Sequence, residues 1–341
     1  MRFLVMGAGA LGCAFGGMLA ASHNDVILVG RERLMKPIRE RGLLISGIWG
    51  RHHVRVSAAV SSVEDAIEHI VGRKRNDDHA DGAAGYPDVV LLTTKAYDTE
   101  NAMKDLMPLL ARSPSTSVLS FQNGIGNVQT IAKFVGEKRA IGGMVITGFE
   151  IDAGGDVEVK VTVTADKTKI GMLNGEITPE ISKIVHTLNS ASIPTEAVRN
   201  IQSHIWAKAL YNAALNPLST IFGVPYGELV SEGQQNALLI IEDIVKEAFA
   251  VAEAENIALF WKKPEEYVRF LRDVQIPKTA SHIPSMLRDI ERGRKTEIDF
   301  INGVFVRLGK RHGIPTPVNE TIVRQIKFLE MRNSGRGDDG G

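Results

Sequence analysis

A short apolar run, a glycine-rich turn and an alanine-rich segment begin the chain, and they restrict the fold more than any other feature. Residues 2–6, RFLVM, are typical of a buried strand, and the segment after GAGALG is typical of a helix. In the spacing G-x-G-x-x-G, the first glycine permits a tight turn, the second lets a pyrophosphate approach the backbone, and the third lets the helix pack on the strand. The sequence predicts a dinucleotide-binding loop formed by Gly7, Ala8, Gly9, Ala10, Leu11 and Gly12.

Further strand patterns alternate with helical intervals over roughly the first 200 residues. They lie at residues 25–31, 54–60, 86–95, 117–124, 139–147 and 156–164. This alternation predicts a doubly wound parallel sheet. After about residue 197 the strand signal ends and only segments with helical periodicity follow. We therefore expect an α/β protein, with a Rossmann-type domain at residues 1–197 and an all-helical substrate domain at residues 198–332.

Two polar segments are predicted to lie outside this framework. Residues 72–85, GRKRNDDHADGAAG, separate two periodic segments, and we interpret them as an exposed loop. The tail at residues 333–341, NSGRGDDGG, has no apolar pattern, so its composition predicts disorder.

The end of the second strand bears on the choice between NAD and NADP. An NAD-binding fold usually places Asp or Glu there for the ribose hydroxyls, whereas this chain has Gly30 and Arg31. A guanidinium suits the 2′-phosphate of NADPH, and Arg33 could assist. Glu32 is close enough in sequence to bind a ribose instead, and Arg31 could also be a solvated surface residue. We expect NADPH/NADP+ as the cofactor, with Arg31 at its 2′-phosphate.

A nearly all-apolar helix in the middle of the chain contains a narrow polar stripe. Residues 205–216, IWAKALYNAALN, are predicted helical because nothing before Pro217 breaks a helix. Lys208, Asn212 and Asn216 are spaced four apart and therefore lie on one face. An ammonium and two amides among apolar neighbours need partners. Those partners could be a core network, an oligomer interface or a bound ligand.

Composition excludes several classes of function. The 341 residues are 44% hydrophobic and include 40 basic and 40 acidic side chains, which predicts a globular protein without general attraction to nucleic acid or membrane. Cys13 is the only cysteine, so neither an intramolecular disulfide nor a cysteine-based metal site is expected. The glycines of the first apolar run argue against a signal peptide. We expect a cytoplasmic protein that binds no metal; the apolar run ALLII is compatible with a core helix or a homodimer.

Seven motifs follow one another in the order found in the ketopantoate reductase (2-dehydropantoate 2-reductase) family. They are GAGALG, Lys95 after VVLLTT, QNG at 122–124, WAKALYNAALNPL at 206–218, SMLRD at 285–289, TEIDFING at 296–303 and GIPTPVN at 313–319. The chain resembles that family over nearly its whole length. The resemblance implies NADPH-dependent reduction of a 2-keto acid to a 2-hydroxy acid, in pantothenate and coenzyme A biosynthesis.

The resemblance also implies roles for individual residues. Lys208 would donate a proton to the ketone oxygen, and Asn212, Asn216 and Ser285 would bind the substrate, so that the stripe becomes the substrate face of a cleft between the two domains. Asn123 would also lie near the substrate. The cofactor side would include Lys95, Asn123, Gly148 and Glu297.

The proposed lysine chemistry is coherent by itself. Hydride transfer to a carbonyl carbon creates an alkoxide, which an ammonium both stabilises and protonates. Burial lowers the pKa of a lysine and a nearby carboxylate raises it, so the sequence does not determine the pKa of Lys208.

Four of these residues also have purely structural interpretations. Lys95 could cap a strand end, and Asn123 could be a left-handed turn residue before Gly124. Ser285 could cap a helix that begins at Met286, and Glu297 could be a surface charge.

Departures from the family pattern leave the substrate open. Pro284 precedes Ser285 where the family often has another serine, and Tyr226 stands where some members have a substrate-binding asparagine. Residues 73–85 resemble an insertion, and residues 149–166 match the family poorly. Reduction of another branched 2-keto acid, or turnover of a related 3-hydroxy acid, is therefore an alternative to ketopantoate. A sensor that binds NADP(H) without turnover is a third hypothesis, although it would need no proton donor.

Overall fold

The computed structural model describes residues 1–76 and 85–333. Its contacts separate two compact units. Unit 1 contains residues 1–122 and 126–201, and unit 2 contains residues 123–125 and the chain from Gln202 onward.

Unit 1 contains all the strands of the described chain, and they form two sheets. They are β1 (Arg2–Met6), β2 (Asp25–Val29), β3 (Leu43–Gly47), β4 (His52–Val54), β5 (Ala58–Val60), β6 (Val89–Leu92), β7 (Ser117–Ser120), β8 (Ala140–Met144), β9 (Thr147–Asp152), β10 (Val157–Thr164), β11 (Thr168–Met172) and β12 (Thr195–Ala197). Its helices are α1 (Ala10–Ala21), α2 (Glu32–Arg41), α3 (Val63–Asn76), α4 (Thr99–Arg112), α5 (Asn127–Val135) and α6 (Pro179–Ser190), with 3-10 turns at Ala96–Asp98 and Glu137–Arg139.

The larger sheet has eight strands in the order β5-β2-β1-β6-β7-β8-β11-β12. Neighbouring strands from β5 to β8 are parallel, and β11 joins β8 in the antiparallel direction. Every residue of β6, β7 and β8 is buried, as expected for strands covered on both faces. This arrangement, together with the all-helical second unit, confirms the predicted fold class, with the correction that the sheet is mixed at one edge.

The smaller sheet has four strands in the order β4-β3-β10-β9. Its strand β10 buries Val157, Val159 and Val161 on one face while the residues between them are more exposed. The predicted half-exposed strand at residues 156–164 is therefore confirmed. The sheet itself was not predicted, because β3 pairs with β10, whose first residue lies more than 100 positions further along the chain.

Two local predictions in unit 1 are wrong. The predicted strand at residues 54–60 is divided between the end of β4 and β5, which belong to different sheets. Helix α3 continues to Asn76, so the predicted loop at residues 72–85 begins at least five residues too early. The remainder of that loop up to residue 84 lies outside the described residues, as does the predicted tail beyond Asn333, which is itself the last residue of a helix.

Unit 2 is formed by helices around a common apolar core. They are α7 (Ile201–Phe222), α8 (Gln235–Ala254), α9 (Pro264–Phe270), α10 (Ile276–Lys278), α11 (Ser285–Glu291), α12 (Ile298–His312) and α13 (Pro317–Asn333), with a 3-10 turn at Tyr226–Val230 and a π-helical segment at Leu271–Gln275. Within the ALLII run of α8, Ala237 and Ile241 are buried, whereas Leu239 is exposed.

Helix α7 continues through Pro217 to Phe222. A proline has no amide hydrogen, so the carbonyl of Ala213, four residues earlier, loses its helical partner. The buried Asn302 of α12 replaces that partner, because its Nδ2 donates a hydrogen bond to the Ala213 oxygen at 3.1 Å. A contact from a distant helix therefore satisfies the carbonyl that the proline leaves without a donor.

Candidate functional site

The glycine-rich loop of unit 1 has the geometry that its sequence spacing predicts. Gly7 has φ +98, and a Cβ there would lie 2.6 Å from the Thr94 nitrogen. A Cβ at Gly12 would lie 2.6 Å from Thr93 Oγ1, so this glycine lets α1 approach the chain after β6. A Cβ at Gly9 would meet no protein atom closer than 3.9 Å. The chain's own packing does not require a glycine at position 9, whereas a close ligand would.

The first turn of α1 offers free hydrogen-bond donors. Gly9 precedes this helix, no side chain caps it, and its first turn contains no acidic residue. The backbone N–H groups of Ala10, Leu11 and Gly12 begin the helix, where they lack carbonyl partners within it. A phosphate fits such an end, because the N–H groups and the helix dipole both favour negative charge. The loop therefore fits the pyrophosphate of a dinucleotide.

The charged residues after β2 are not equivalent. Arg31 precedes α2 and is exposed, as is Arg33. Glu32 accepts a hydrogen bond from Nη2 of Arg39 at 2.6 Å, and the Arg39 Nη1 donates to the Ala59 carbonyl at 2.7 Å. The carboxylate that could serve a ribose is thus paired within its own helix, and Arg31 is the side chain better placed to receive an anion.

A buried polar network joins the ends of β6 and β7. Gln122 donates from Nε2 to the Thr94 carbonyl at 3.1 Å and to Thr99 Oγ1 at 2.8 Å. Its Oε1 accepts from Ser120 Oγ at 3.1 Å. The Gln122 amide therefore fixes the turn that contains Lys95, and Gln122 itself directly precedes Asn123. The sequence predicts no separate role for Gln122, although two polar residues, Gln122 and Asn123, close to the end of a buried strand are a usable signal.

The predicted stripe of α7 is present in unit 2. Asn212 and Asn216 are each only 7% exposed, and Lys208 is half-buried. Among the described residues, none makes a hydrogen bond or ion pair with the side chains of Lys208 and Asn212. Burial lowers the pKa of Lys208 to about 8, and the charge of Glu297 opposes that shift. The helix therefore presents a desolvated ammonium close to its titration point, with unused hydrogen-bonding capacity beside it.

Glu297 lies within electrostatic reach of this lysine. It directly precedes α12, is 5% exposed, and its Oε2 accepts a hydrogen bond from Asn123 Nδ2 at 3.4 Å. The segment of Asn123 is held by Gly124, which has φ +87 and where a Cβ would lie 2.5 Å from the Phe300 carbonyl. Asn123, Lys208 and Glu297 are therefore brought together within unit 2.

The backbone beside Glu297 is held from the last helix. Glu330 of α13 accepts two hydrogen bonds at Oε1, from the Thr296 nitrogen at 2.7 Å and from Thr296 Oγ1 at 2.6 Å. Lys327 contacts Glu330 at 3.2 Å and Asp299 at 2.6 Å. Sequence reasoning missed this contact, because nothing in the local pattern indicates a partner for Thr296 that lies 34 residues away.

Asn216, the last residue of the stripe, is held by hydrogen bonds from Tyr226 and Thr220. Its Oδ1 accepts a hydrogen bond from the Tyr226 hydroxyl at 2.5 Å, and its backbone carbonyl accepts from Thr220 Oγ1 at 2.7 Å. The Tyr226 ring packs edge-on against Tyr211, with centroids 5.7 Å apart. In the sequence, Tyr226 is only a departure from a family pattern, and nothing there indicates its partner.

The remaining predicted site residues lie elsewhere. Ser285 is the exposed first residue of α11, and its hydroxyl makes no hydrogen bond within the described part of the chain. Lys95 precedes the 3-10 turn after β6. Gly148 lies at an irregularity of the β9–β10 ladder, where a Cβ would be 2.5 Å from Thr162 Oγ1. The packing of the smaller sheet is thus sufficient to explain this glycine, and its predicted place near a nicotinamide stays a prediction.

Three of the structural alternatives are wrong. Asn123 does not have the positive φ of a left-handed residue, which Gly124 has instead. Ser285 is not the residue that caps a helix beginning at Met286, because α11 already begins at Ser285. Glu297 is buried and is therefore not a surface charge.

The described residues contain no group of three or more His, Cys, Asp or Glu side chains that could hold a metal ion. In the same part of the chain, no helix combines the length and the apolar character needed to cross a membrane. Cys13 is buried in α1, where burial raises the pKa of its thiol to about 12.

Two family models match this chain in succession. The model described as "Ketopantoate reductase PanE/ApbA" matches residues 3–175, and the model described as "Ketopantoate reductase PanE/ApbA C terminal" matches residues 200–330. The chain belongs to the ketopantoate reductase family. A relative named 2-dehydropantoate 2-reductase from Aquifex aeolicus is 34% identical over 335 residues, which is 98% of this chain and 98% of the relative.

Solved structures extend the ketopantoate reductase likeness to the fold. The crystal structure of a PanE/ApbA family ketopantoate reductase from Ralstonia eutropha has a TM-score of 0.78 and 28% identity, covering 98% of this chain and 99% of that one. The ternary structure of D-mandelate dehydrogenase with NADH and anilino(oxo)acetate also has a TM-score of 0.78, with 27% identity over 97% of this chain and 99% of that one. The fold therefore accommodates more than one activity.

Proposed function

We propose that this protein reduces 2-dehydropantoate (ketopantoate) to pantoate with NADPH, as a step of pantothenate and coenzyme A biosynthesis. The observation that supports it best is the desolvated Lys208, whose ammonium makes no hydrogen bond or ion pair with the described residues, on a helix that also presents two asparagines, in a chain of the ketopantoate reductase family. A core network would pair Lys208 and Asn212 with one another or with neighbours, as Tyr226 pairs with Asn216. A ligand that accepts hydrogen bonds satisfies them instead.

The cofactor assignment rests on unit 1. The loop at residues 7–12 would bind the pyrophosphate through the backbone groups of α1, and Arg31 would bind the 2′-phosphate. The pairing of Glu32 with Arg39 supports NADPH over NADH, because it occupies the carboxylate that a ribose diol would need. Lys95, Asn123, Gly148 and Glu297 complete the proposed cofactor side.

The chemistry needs a hydride and a proton. NADPH, when bound, supplies the hydride to the C2 carbonyl carbon. Lys208 would hold its ammonium at the ketone oxygen, stabilise the developing alkoxide and transfer the proton to it. Asn212 and Asn216 would orient the substrate, and Ser285 would bind its carboxylate. The charge of Glu297 would keep more of Lys208 in the protonated form at neutral pH.

A second candidate is the reduction of another branched 2-keto acid by the same residues. The structural likeness to D-mandelate dehydrogenase supports this second candidate, because the TM-score of that enzyme equals the TM-score of the ketopantoate reductase from Ralstonia eutropha. The lysine and the carboxylate-binding groups would serve either acid. Only the pocket for the substituent on C3 would distinguish them.

We further propose a cytoplasmic protein whose partner is this small keto acid and not a nucleic acid. A single buried cysteine and a net charge of +0 support this assignment. The predicted homodimer stays a prediction.

The deciding experiment is NADPH oxidation by the purified protein with 2-ketopantoate, beside a panel of other 2-keto acids and beside NADH. We expect the highest kcat/KM with ketopantoate and NADPH. Turnover with another keto acid alone would retain the mechanism and change the substrate. Tight NADPH binding without turnover on any acid would refute the enzymatic proposal in favour of a sensor.

A further inference from the structure

Tyr226 is an enclosed phenol with one hydrogen-bond partner. It is 2% exposed, and among the described residues its hydroxyl bonds only to Asn216. Burial raises the pKa of Tyr226 well above its ordinary value, so the hydroxyl keeps its proton throughout the working range of pH. A buried phenolic hydrogen needs an acceptor, and Asn216 Oδ1 is the one within reach.

This bond determines which end of the Asn216 carboxamide faces away from the tyrosine. With the amide flipped, Nδ2 would face the hydroxyl and the phenolic hydrogen would have no acceptor. In the observed orientation Nδ2 makes no hydrogen bond with any described residue, and it is not among the side-chain atoms that are fully enclosed without a partner. The amide NH₂ is therefore not fully enclosed, and its hydrogen-bonding capacity is unused within the described residues.

The tyrosine itself is held on several sides. Its ring lies 5.7 Å from that of Tyr211 and 5.1 Å from that of His282, and its backbone nitrogen donates to the His282 carbonyl at 3.2 Å. Tyr211 shares a hydrogen bond with Thr279 at 2.9 Å. Since these contacts leave the phenol little freedom, it can fix the amide that it touches.

We propose that Tyr226 is a positioning residue that holds the Asn216 carboxamide with its NH₂ directed at the keto acid. This inference rests on the proposed function and specifies how the site recognises its substrate. The Lys208 ammonium and the Asn216 NH₂ then both present donors on the same helix face. The site selects ligands that bring acceptors, namely the oxygens of a ketone, a carboxylate or a hydroxyl group.

The test is a double-mutant cycle with Tyr226→Phe, Asn216→Ala and the combined variant. KM and kcat for 2-ketopantoate are measured at saturating NADPH, and the dissociation constant of pantoate is measured by calorimetry with NADP+ present. Tyr226→Phe keeps the ring and removes only the hydroxyl, so we expect KM to rise roughly threefold to tenfold while kcat changes less than about twofold. If the tyrosine acts through the amide, the combined variant will match Asn216→Ala.

Tyr267→Phe is the matched control. Tyr267 is also buried, and its hydroxyl donates at 3.5 Å to the backbone carbonyl of Ala207 in the same helix, not to a side chain of the stripe. A purely structural effect of losing a buried hydroxyl would lower the unfolding midpoint in both variants, whereas only Tyr226→Phe should change KM.

The outcomes separate this inference from the proposed function. A raised KM in Asn216→Ala together with an unchanged KM in Tyr226→Phe would refute the positioning role alone. Additive effects in the combined variant would do the same. Unchanged KM and pantoate affinity in Asn216→Ala would refute the assignment of the stripe to substrate, and the positioning role with it.

Discussion

The lowered pKa of Lys208 makes the pH dependence of reduction a direct test of the proposed proton donor. Burial brings this pKa from 10.5 to about 8. With that value, the protonated fraction is about nine-tenths at pH 7, about half at pH 8 and about one-hundredth at pH 10. In the proposed mechanism reduction needs the protonated lysine, so kcat/KM for the keto acid should fall about a hundredfold between pH 7 and pH 10. An ordinary lysine would lose less than about twofold over the same range.

The assay is the initial rate of NADPH oxidation at limiting 2-ketopantoate and saturating cofactor, repeated at intervals from pH 6 to pH 10.5. Oxidation of pantoate by NADP+ needs the neutral lysine, so its kcat/KM should rise through the same pKa and give the mirror image. In Glu297→Gln the fall in reduction should move to lower pH, because the charge of Glu297 raises the pKa of Lys208.

Lys208→Arg is the matched control for this profile. A guanidinium keeps the charge but does not lose its proton in this range, so the residual activity of the variant should lack the fall near pH 8. A wild-type rate that stays level to pH 10, or a fall near pH 8 that persists in Lys208→Arg, would show that another group donates the proton.

Three further outcomes follow from the structure. Arg31→Ala should weaken NADPH binding about tenfold or more and NADH binding little, as measured by fluorescence titration; equal losses would reject the 2′-phosphate contact. Asn302→Ala should lower the free energy of unfolding by about 1–3 kcal/mol, because it leaves the Ala213 carbonyl without a donor; in a Pro217→Ala background, where the helix supplies that donor, urea titration should show a clearly smaller loss. Lys208→Met should abolish turnover and raise the free energy of unfolding at pH 7 by roughly 1–3 kcal/mol. The pKa of Lys208 is lower in the folded chain than in the unfolded one, so the free-energy cost of burying the charged lysine is fully present below pH 8 and disappears as the pH rises towards 10.5. An equal increase in the free energy of unfolding of Lys208→Met at pH 7 and pH 10.5 would contradict this reasoning.

Local patterns were sufficient where local physics decides the structure. Strand β1 occupies the predicted residues 2–6, and the loop at residues 7–12 has the predicted glycine geometry, because both depend on neighbours in sequence. The stripe of α7 was predictable for the same reason, since helical periodicity alone places side chains four residues apart on one face.

The misses concern contacts between residues that are distant in sequence. Pro217 predicts a helix end, yet α7 continues because Asn302, 85 residues later, supplies the missing donor. A glutamate is usually expected at the surface, but the packing of the helices buries Glu297, which accepts a hydrogen bond from Asn123. The orientation of the Asn216 amide depends on the hydroxyl of Tyr226, which lies in the 3-10 turn after α7. No periodicity in the sequence predicts this contact.

The short segment at residues 123–125 belongs by its contacts with the helices of unit 2, although it lies within the sequence of unit 1. Gly124 packs against Phe300, and Asn123 bonds to Glu297. The gene therefore cannot be cut at one point into two modules that each keep their own contacts. A chimera that joins the first half of this protein to the helices of a relative would need that tripeptide exchanged as well. Residues at positions 123–125 and around 297–300 should therefore covary among members of the family.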